Sequence, residues 1–418
     1  MTGPNIPKMA WRNLWRNRRR TLLTLVAIAF GLFLAILMTA MQDRSFGDMI
    51  NTAARMRSGH VAVMHPGQID APSLKQTIPD ASGLVDALAG ADGLEHAVAR
   101  INGPAMLATA GQSYGAAFIA FDPAAEDVDT LAYLEGLSEG RMIADRDSND
   151  IVLGQKLAQN LRVKIGKKVV VTMMDKNGEI AADLFIVRGL LATGSESTDR
   201  ILALLPIGRV QQTLGYAPTE ATEVALFADD ARGAPSLLAA VTDKLPEQSV
   251  ALTWDEVQVE LRGFVAMKVG GARFMEAIII ILVAASIFNT LLVSVMERAR
   301  EFGIMLAIGW SPGQLFRLVM WESAWLALVG VLTGGLLTAG PYAYLHANPI
   351  DLSAALEAQG QQSLDIGGVG MSTELPIGIF PENLVIIIAI VTCATLLSGV
   401  YPAWKAGRTV PVETIKLV

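Results

Sequence analysis

The stretch that decides the fold is residues 277–323, which read AIIIILVAASIFNTLLVSVM-ERAREFG-IMLAIGWSPGQLFRLVMWES. Its first 20 residues carry no charged side chain, and the charged segment ERAREFG follows at once. An α-helix needs about 20 apolar residues to cross the hydrocarbon core of a bilayer. We therefore expect one membrane helix to end near residue 296 and, after a short polar connector, a second one to begin.

The connector has the pattern of a short amphipathic helix. Glu297 and Arg300 are spaced i,i+3, and the same spacing relates Arg298 to Glu301, so opposite charges share a helical face. The apolar positions are Phe302, Met305 and Leu306, and the residues that end the helix are Gly309 and Pro312. A rigid helix of this kind at a membrane surface is suited to receive a push from a soluble partner.

Three more windows without Asp, Glu, Lys or Arg have spanning length: 21–42, 323–340 and 384–404. With residues 277–296 they predict four transmembrane helices, in a chain that is 52% hydrophobic and only 17% charged. The first window follows a basic leader, but its 22 uncharged residues exceed the core of a signal peptide, so we expect a retained helix. Gly330 and Gly334 favour close helix packing inside the chain. A helix–helix interface between two copies of the chain would have the same spacing of small residues.

The distribution of charge predicts that both termini are cytoplasmic. Residues 1–20 contain no acid, and their basic side chains are Lys8, Arg12, Arg16, Arg18, Arg19 and Arg20. Residues 43–271 hold 20 Lys and Arg against 30 Asp and Glu, and residues 346–382 hold five acids with no Lys or Arg. Because basic loops stay in the cytoplasm, the connector also faces the cytoplasm and the long acidic segment lies outside it.

The acidic segment predicts an α+β domain between transmembrane helices 1 and 2. Short β-forming runs occur at 60–64, 117–121, 151–153, 168–174, 183–188, 201–205 and 223–227. Residues 175–178, Asp-Lys-Asn-Gly, predict a hairpin turn, and apolar residues near 84–88 and 237–245 recur with helical spacing. We expect a β-rich lobe at about 105–205. No proline occurs between Pro246 and Pro312, so we also expect one long helix over 255–309.

These patterns divide the chain into nine segments. They are a basic interfacial helix at 1–20, transmembrane helix 1 with a stalk at 21–57, the α+β domain at 58–254, a second stalk with transmembrane helix 2 at 255–296, the coupling helix at 297–314, transmembrane helix 3 at 315–345, an extracytoplasmic loop at 346–381, transmembrane helix 4 at 382–404 and a cytoplasmic tail at 405–418.

The sequence carries no recognisable catalytic machinery. It has no phosphate-binding loop of the Gly-x-x-x-x-Gly-Lys type, no histidine pair at metal-ligand spacing and a single cysteine, Cys393. The spans lack the charged side chains that ion channels and proton-coupled carriers require. We therefore expect a non-catalytic membrane subunit with no cofactor and no metal site of its own, and an apolar cargo if anything crosses its membrane region.

Three motifs resemble permeases of the FtsX/MacB/LolCE superfamily of ABC transporters. They are MAWRNLWRNRRRTL at 9–22, ERAREFGI at 297–304 with AIGWS at 307–311, and YPAWKA at 401–406. The layout of one helix, a large domain and three helices is also similar. The resemblance implies two permease subunits, a second copy or a paralogue, working with a cytoplasmic ATPase dimer that binds ATP and Mg. The residues it implies for docking on that ATPase are Glu297, Arg298, Arg300, Glu301, Phe302, Gly303 and Ile304.

Within the superfamily, the segment GHVAVMH at 59–65 and the 418-residue length are most similar to lipoprotein-releasing permeases, which lack a fused ATPase. That resemblance implies a bacterial inner-membrane protein that extracts lipoproteins and passes them to a periplasmic acceptor. The acyl-chain surface it implies comprises Met38, Met41, Phe46, Met275, Ile278 and Ile279. Two alternatives stay open: a MacB-like permease that transmits motion for efflux of drugs or peptides through a periplasmic adaptor, and an FtsX-like signalling scaffold that activates a periplasmic partner.

Overall fold

A computed structural model describes residues 5–354, 358, 364–366, 369–371 and 374–408. The chain divides into two compact units. The helical unit comprises Met1–Ser45, Ala266–Ile350 and Leu375–Val418, and the α+β unit comprises Phe46–Val265 and Asp351–Glu374. Most of the predicted tail, from residue 409, parts of the predicted loop at 346–381 and the first four residues lie outside the described residues.

The described helices include the four predicted membrane helices. In chain order the helices are α1 (Ile6–Leu14), α2 (Arg18–Met56), α3 (Gly67–Asp70), α4 (Ala81–Leu88), α5 (Gln155–Asn160), α6 (Glu196–Asp199), α7 (Ile207–Leu214), α8 (Ala234–Thr242), α9 (Trp254–Val257), α10 (Val259–Glu297), α11 (Ala299–Ala307), α12 (Pro312–Ala347) and α13 (Pro381–Gly407). A 3₁₀ turn at Trp15–Asn17 joins α1 to α2. Among the described residues, four segments are long and apolar enough to cross a membrane: Ile6–Met56, Val259–Glu297, Pro312–Ala347 and Pro381–Gly407.

The prediction of one long helix over 255–309 is wrong, because the backbone leaves helical geometry twice. Gln258 has φ −108° and ψ 69°, and Arg298 has φ −96° and ψ 9°. The helix α11 between Arg298 and Gly309 is therefore a separate element of nine residues. Gly309 takes a φ of +101°, which favours glycine, and ends the connector.

The helix α12 begins earlier than predicted. Ser311 caps it, since the Ser311 hydroxyl accepts from the backbone N–H of Gln314 and the Gln314 side chain accepts from the Ser311 N–H. Pro312 occupies the first turn, where its missing N–H costs no hydrogen bond. The predicted coupling helix at 297–314 thus contains α11, its terminating glycine and the first turn of α12.

The described strands of the α+β unit are longer and more numerous than the sequence predicts. The strands are β1 (Val61–Met64), β2 (His96–Ala108), β3 (Ser113–Phe121), β4 (Leu137–Gly140), β5 (Asp150–Gly154), β6 (Lys168–Met174), β7 (Ile180–Leu191), β8 (Leu202–Pro206), β9 (Glu223–Phe227) and β10 (Val250–Thr253). Three were not predicted: β2, β4 and β10. Short strands β11 (Ile350–Asp351), β12 (Leu364–Ile366), β13 (Val369–Met371) and β14 (Glu374–Leu375) follow α12.

Two sheets share the long strand β2. Its first part, His96–Arg100, completes an antiparallel sheet in the order β10-β1-β9-β2. Its second part pairs with β3 and also with β6, and the pairs β3-β8, β8-β5, β5-β7 and β7-β6 close the ring. The described strands therefore form a six-stranded barrel whose members run between Ile101 and Pro206.

The predicted hairpin joins β6 to β7. The carboxylate of Asp175 accepts hydrogen bonds from the backbone N–H groups of Asn177 and Glu179, and Gly178 has a φ of +91°. The interior of the α+β unit is mostly apolar, with Leu107, Phe118 and Phe185 almost fully buried. Helices α4 and α8 contribute their predicted apolar faces to the same core.

The small-residue face of α12 packs inside the chain, against α2. A Cβ atom at Gly334 would lie 3.1 Å from the Cα of Ala29 and 2.9 Å from Cδ2 of Leu32. The next residue, Gly335, has open space where a Cβ would be placed. Close approach of α2 and α12 therefore requires glycine at position 334 but not at 335.

We expect Gly334→Val to destabilise the protein by about 1–3 kcal/mol, because the added methyl groups meet the backbone of α2. Gly335→Val is the matched control, since it makes the same change in helix propensity without the steric conflict. Thermal unfolding of both variants in detergent measures the difference. Equal melting temperatures would contradict the close contact.

Candidate functional site

Polar and charged side chains of the helical unit meet around the start of α11. We call this group the ion-pair cluster, and its members are Asn13, Arg16, Arg20, Glu297, Arg298, Glu301 and Glu322. Two of its bonds join the basic N-terminal segment to the connector. Arg16 donates from one nitrogen, Nη2, to both carboxylate oxygens of Glu301 at 2.7 Å, and Arg20 lies 2.5 Å from Glu297.

The most enclosed pair in the ion-pair cluster is Arg298 with Glu322 of α12. Nη1 of Arg298 donates to the two carboxylate oxygens of Glu322 at 2.8 and 3.0 Å, and Nε donates to Glu301 at 3.2 Å. The side chains of Arg298 and Glu322 are 12% and 7% exposed, against 55% and 42% for Arg16 and Glu301. The Arg298 guanidinium also lies 4.9 Å from the centre of the Phe302 ring.

The carboxylates stabilise the charge on Arg298. Burial works to lower the pKa of Arg298, but Glu322 and Glu301 outweigh it and raise that pKa above its ordinary value. For Glu301, burial works to raise the pKa, and the bonds from Arg16 and Arg298 outweigh it and lower that pKa. Both groups are therefore held charged at neutral pH.

A polar cavity of about 290 Å³ adjoins the ion-pair cluster. Its walls include Arg16, Arg20, Glu297, Arg298 and Glu322, with further polar positions at Thr21, Thr24, Thr290 and Ser294. One nitrogen of Arg298, Nη2, is buried without a hydrogen-bond partner among the described residues. The cavity is lined by three cations and two carboxylates.

The helix α11 has one buried and one exposed face. Phe302 is fully buried in a cluster whose other members include Ala10, Leu315, Leu318, Val319, Ala403 and Ala406. Gly303 is buried beside it. On the opposite side Arg300 is exposed, as are Ile304 at 47% and Ile308 at 73%. Ile304 in this nine-residue helix and Ile308 directly after it form an apolar surface that a partner could cover.

The structure separates the seven predicted coupling residues into two groups. Glu297, Arg298, Glu301 and Phe302 make contacts within the chain, as described above. Of the others, Arg300 and Ile304 remain exposed. The i,i+3 pair between Arg298 and Glu301 is present, whereas Glu297 pairs with Arg20 because the helix is interrupted at Arg298.

The six residues predicted for the acyl-chain surface do not share one environment. Phe46 belongs to the α+β unit, where it packs at the edge of a core that includes Met49, Leu191 and Leu261. The other five lie in the helical unit: Met38 and Met275 are exposed, and Met41, Ile278 and Ile279 are half-buried.

The sequence pattern did not identify Asn13 and Glu322 as members of the ion-pair cluster. Arg16 and Arg20 were used only to predict how the chain is oriented in the membrane. Glu322 carried a usable signal, because it is an acid at the start of an otherwise apolar span, where a charge needs a partner. The described residues contain no group of three His, Cys, Asp or Glu side chains that could hold a metal ion.

Comparisons with known proteins match both parts of the chain. A family model described as the MacB-like periplasmic core domain matches residues 21–244, and one described as the FtsX-like permease C-terminal region matches residues 273–411. The ABC transporter permease YtrF of Bacillus subtilis is 33% identical over 195 residues, which cover 45% of this chain and 41% of YtrF. This match therefore spans less than half the length of YtrF.

Two other relatives align with almost the whole chain. The lipoprotein-releasing system transmembrane protein LolC of Neisseria meningitidis is 24% identical over 411 residues, 95% of this chain and 94% of LolC. The pyoverdine export ATP-binding/permease protein PvdT of Pseudomonas fluorescens is 23% identical over 434 residues, 97% of this chain and 58% of PvdT.

We expect the two kinds of ion pair in the cluster to differ in their contribution to stability. Glu322→Ala leaves the enclosed Arg298 without its main partner and should cost about 1.5–3 kcal/mol. Arg16→Ala breaks an exposed pair and should cost less than about 1 kcal/mol. Thermal unfolding of the detergent-solubilised protein tests this, and similar shifts in melting temperature for the two variants would refute it.

Proposed function

Because the chain belongs to the family of MacB-like and FtsX-like ABC transporter permeases, we propose that it extracts lipoproteins from the bacterial inner membrane and passes them to a periplasmic acceptor. It is a non-catalytic, multi-pass membrane subunit with an extracytoplasmic domain, and an ABC permease works with a partner ATPase. The ATP and Mg that drive the cycle bind to that ATPase.

The observation that supports lipoprotein release is the end-to-end similarity to LolC. It covers 95% of this chain and 94% of LolC, so it includes the membrane helices as well as the extracytoplasmic domain. The uncharged spans agree with an apolar cargo, since the acyl chains of a lipoprotein require no charged path through the membrane.

In this proposal both termini and α11 face the cytoplasm. Six basic residues and no acid precede the first membrane helix, whereas the α+β domain is acidic. The ion-pair cluster then lies at the cytoplasmic surface, where Arg16, Arg298 and Glu322 tie α11 to the N-terminal segment and to α12. A force applied to α11 would reach both of these elements.

We assign the ATPase contact to the exposed face of α11, with Arg300 and Ile304, and to Ile308 directly after the helix. The residues of the buried face, above all Phe302, hold α11 on the rest of the helical unit. A soluble partner that covers Ile304 and Ile308 would remove two exposed apolar side chains from water, which favours association.

The lipoprotein contact is proposed for the exposed apolar surface of α2 and α10. Met38 and Met275 are exposed there, with Met41, Ile278 and Ile279 half-buried beside them in the chain. Thioether side chains adapt to acyl chains of different shape because methionine is unbranched and flexible. A second permease, identical or paralogous, would complete the membrane region.

A second candidate function is energy transmission for efflux, which the match to the exporter PvdT favours. In that case the cargo would cross outside the membrane helices and a periplasmic adaptor would be required. Copurification in mild detergent separates the two candidates, since an adaptor favours efflux and a lipoprotein acceptor favours release.

We expect Ile304→Asp to weaken binding of the ATPase by roughly tenfold, because a charge replaces an apolar contact at the centre of the proposed interface. Ile304→Val is the control and should bind normally. Copurification of the ATPase and ATP turnover report the effect, and accessibility of the termini to protease checks insertion. If the Asp variant copurifies with the ATPase and turns over ATP as the wild type does, α11 is not part of the ATPase interface.

Lipoprotein release itself is tested in proteoliposomes that contain the permease, its ATPase and a triacylated lipoprotein. Adding ATP and a soluble acceptor should transfer the lipoprotein into the aqueous phase, and a hydrolysis-deficient ATPase is the control. ATP turnover without release would count against a lipoprotein cargo while leaving the ABC permease assignment intact.

A further inference from the structure

A cavity of about 790 Å³ lies within the α+β unit, where β2 leaves the sheet and enters the barrel. Its size falls in the range of small-molecule binding sites, which commonly occur where two lobes meet. Much of the wall is apolar and includes Met64, Phe118 and Leu252. Met56, the last residue of α2, and Val259, the first of α10, also line it.

Two residues that line this cavity each carry a buried side-chain oxygen with no hydrogen-bond donor among the described residues. These oxygens are Oε1 of Glu223 and Oδ1 of Asn102. Glu223 is only 6% exposed, and its other oxygen, Oε2, accepts from Ser58 Oγ at 3.2 Å and from Asn102 Nδ2 at 3.1 Å. The two side chains are thus held together, and leaving such acceptors without a donor is unfavourable.

The nearest buried cation is already neutralised. Arg100 is fully buried, and its guanidinium donates to both oxygens of Glu126, at 2.8 and 2.5 Å, and to the carbonyl oxygens of Thr130 and Arg57. Burial raises the pKa of Glu223, and this effect outweighs the attraction of Arg100 and the bonds from Ser58 and Asn102. Among the described residues, the side chains that donate hydrogen bonds to Glu223 are thus the uncharged Ser58 and Asn102.

The buried acceptors of the lining favour an occupant that donates hydrogen bonds. The charged side chains in the wall are Arg57, Glu223 and Glu256, of which Arg57 and Glu256 are exposed and Glu223 is buried. The remaining polar groups, such as Gln68 and Thr222, are uncharged. A primary ammonium group has three N–H donors and no acceptor, so it matches two neighbouring acceptor oxygens, one of them on a buried carboxyl group.

We propose that this cavity binds an amphipathic primary amine, with its ammonium group donating to Glu223 Oε1 and Asn102 Oδ1 and its apolar body against the walls. The amine could belong to an aminolipid headgroup or to a soluble molecule, and both share this chemistry. The proposal rests on the cavity alone and holds whichever cargo the permease moves. The occupant contacts the ends of both α2 and α10.

The test is calorimetric titration of the full chain in nanodiscs, with empty nanodiscs as the blank. Octylammonium should bind at least about tenfold more tightly than 1-octanol, which lacks the charge and has one donor. Glu223→Gln should weaken octylammonium binding by a similar factor. Glu247→Gln makes the same chemical change at an exposed position outside the cavity and should bind like the wild type.

A second pair of ligands identifies the source of the amine. If dihexanoylphosphatidylethanolamine binds and dihexanoylphosphatidylcholine does not, the occupant is an aminolipid; if only octylammonium binds, it is a soluble amine.

A second variant covers the case in which Glu223→Gln unfolds. Ile69 lies half-exposed at the rim of the cavity, and Ile69→Trp should weaken octylammonium binding about tenfold by narrowing the mouth. Equal binding of octylammonium and octanol, or unaltered binding in these variants, overturns the proposal.

Discussion

The ion pair between Arg298 and Glu322 holds the connector of the helical unit in place. An isolated helix of nine residues is marginal in water, so α11 depends on contacts with its neighbours. Phe302 supplies the apolar contact and Arg298 the polar one, at the point where the chain leaves α10. Because both partners of the pair are enclosed, losing one leaves a charge that water reaches poorly.

The two units bury apolar surface in opposite ways. In the α+β unit the large apolar side chains lie mostly inside, around Phe118 and Phe185. In the helical unit Leu23, Leu336 and Leu397 are more than 70% exposed, which would be unfavourable in water but suits a surface covered by lipid tails. The buried positions of that unit include large apolar residues such as Leu32, together with small residues that let helices approach, such as Gly334.

Features set by local composition could be predicted from the sequence, and features set by partners distant in the chain could not. The four spans and the turn at Asp175–Gly178 belong to the first kind, and the structure confirms them. The strand β2 escaped prediction because Asn102, Gly103 and Pro104 in its middle are typical of turns. Part of the site could be predicted, because the connector has a clear pattern of charges. The bond from Arg298 to Glu322 of α12 spans 24 residues and leaves no local pattern.

The continuity of β2 has a mechanical consequence for the extracytoplasmic domain. One strand of 13 residues belongs to the open sheet at its start and to the closed barrel at its end, with no linker between them. Bending the domain at this place would break ladder hydrogen bonds on both sides of Ile101. A torque delivered to one lobe therefore reaches the other through a continuous hydrogen-bonded strand.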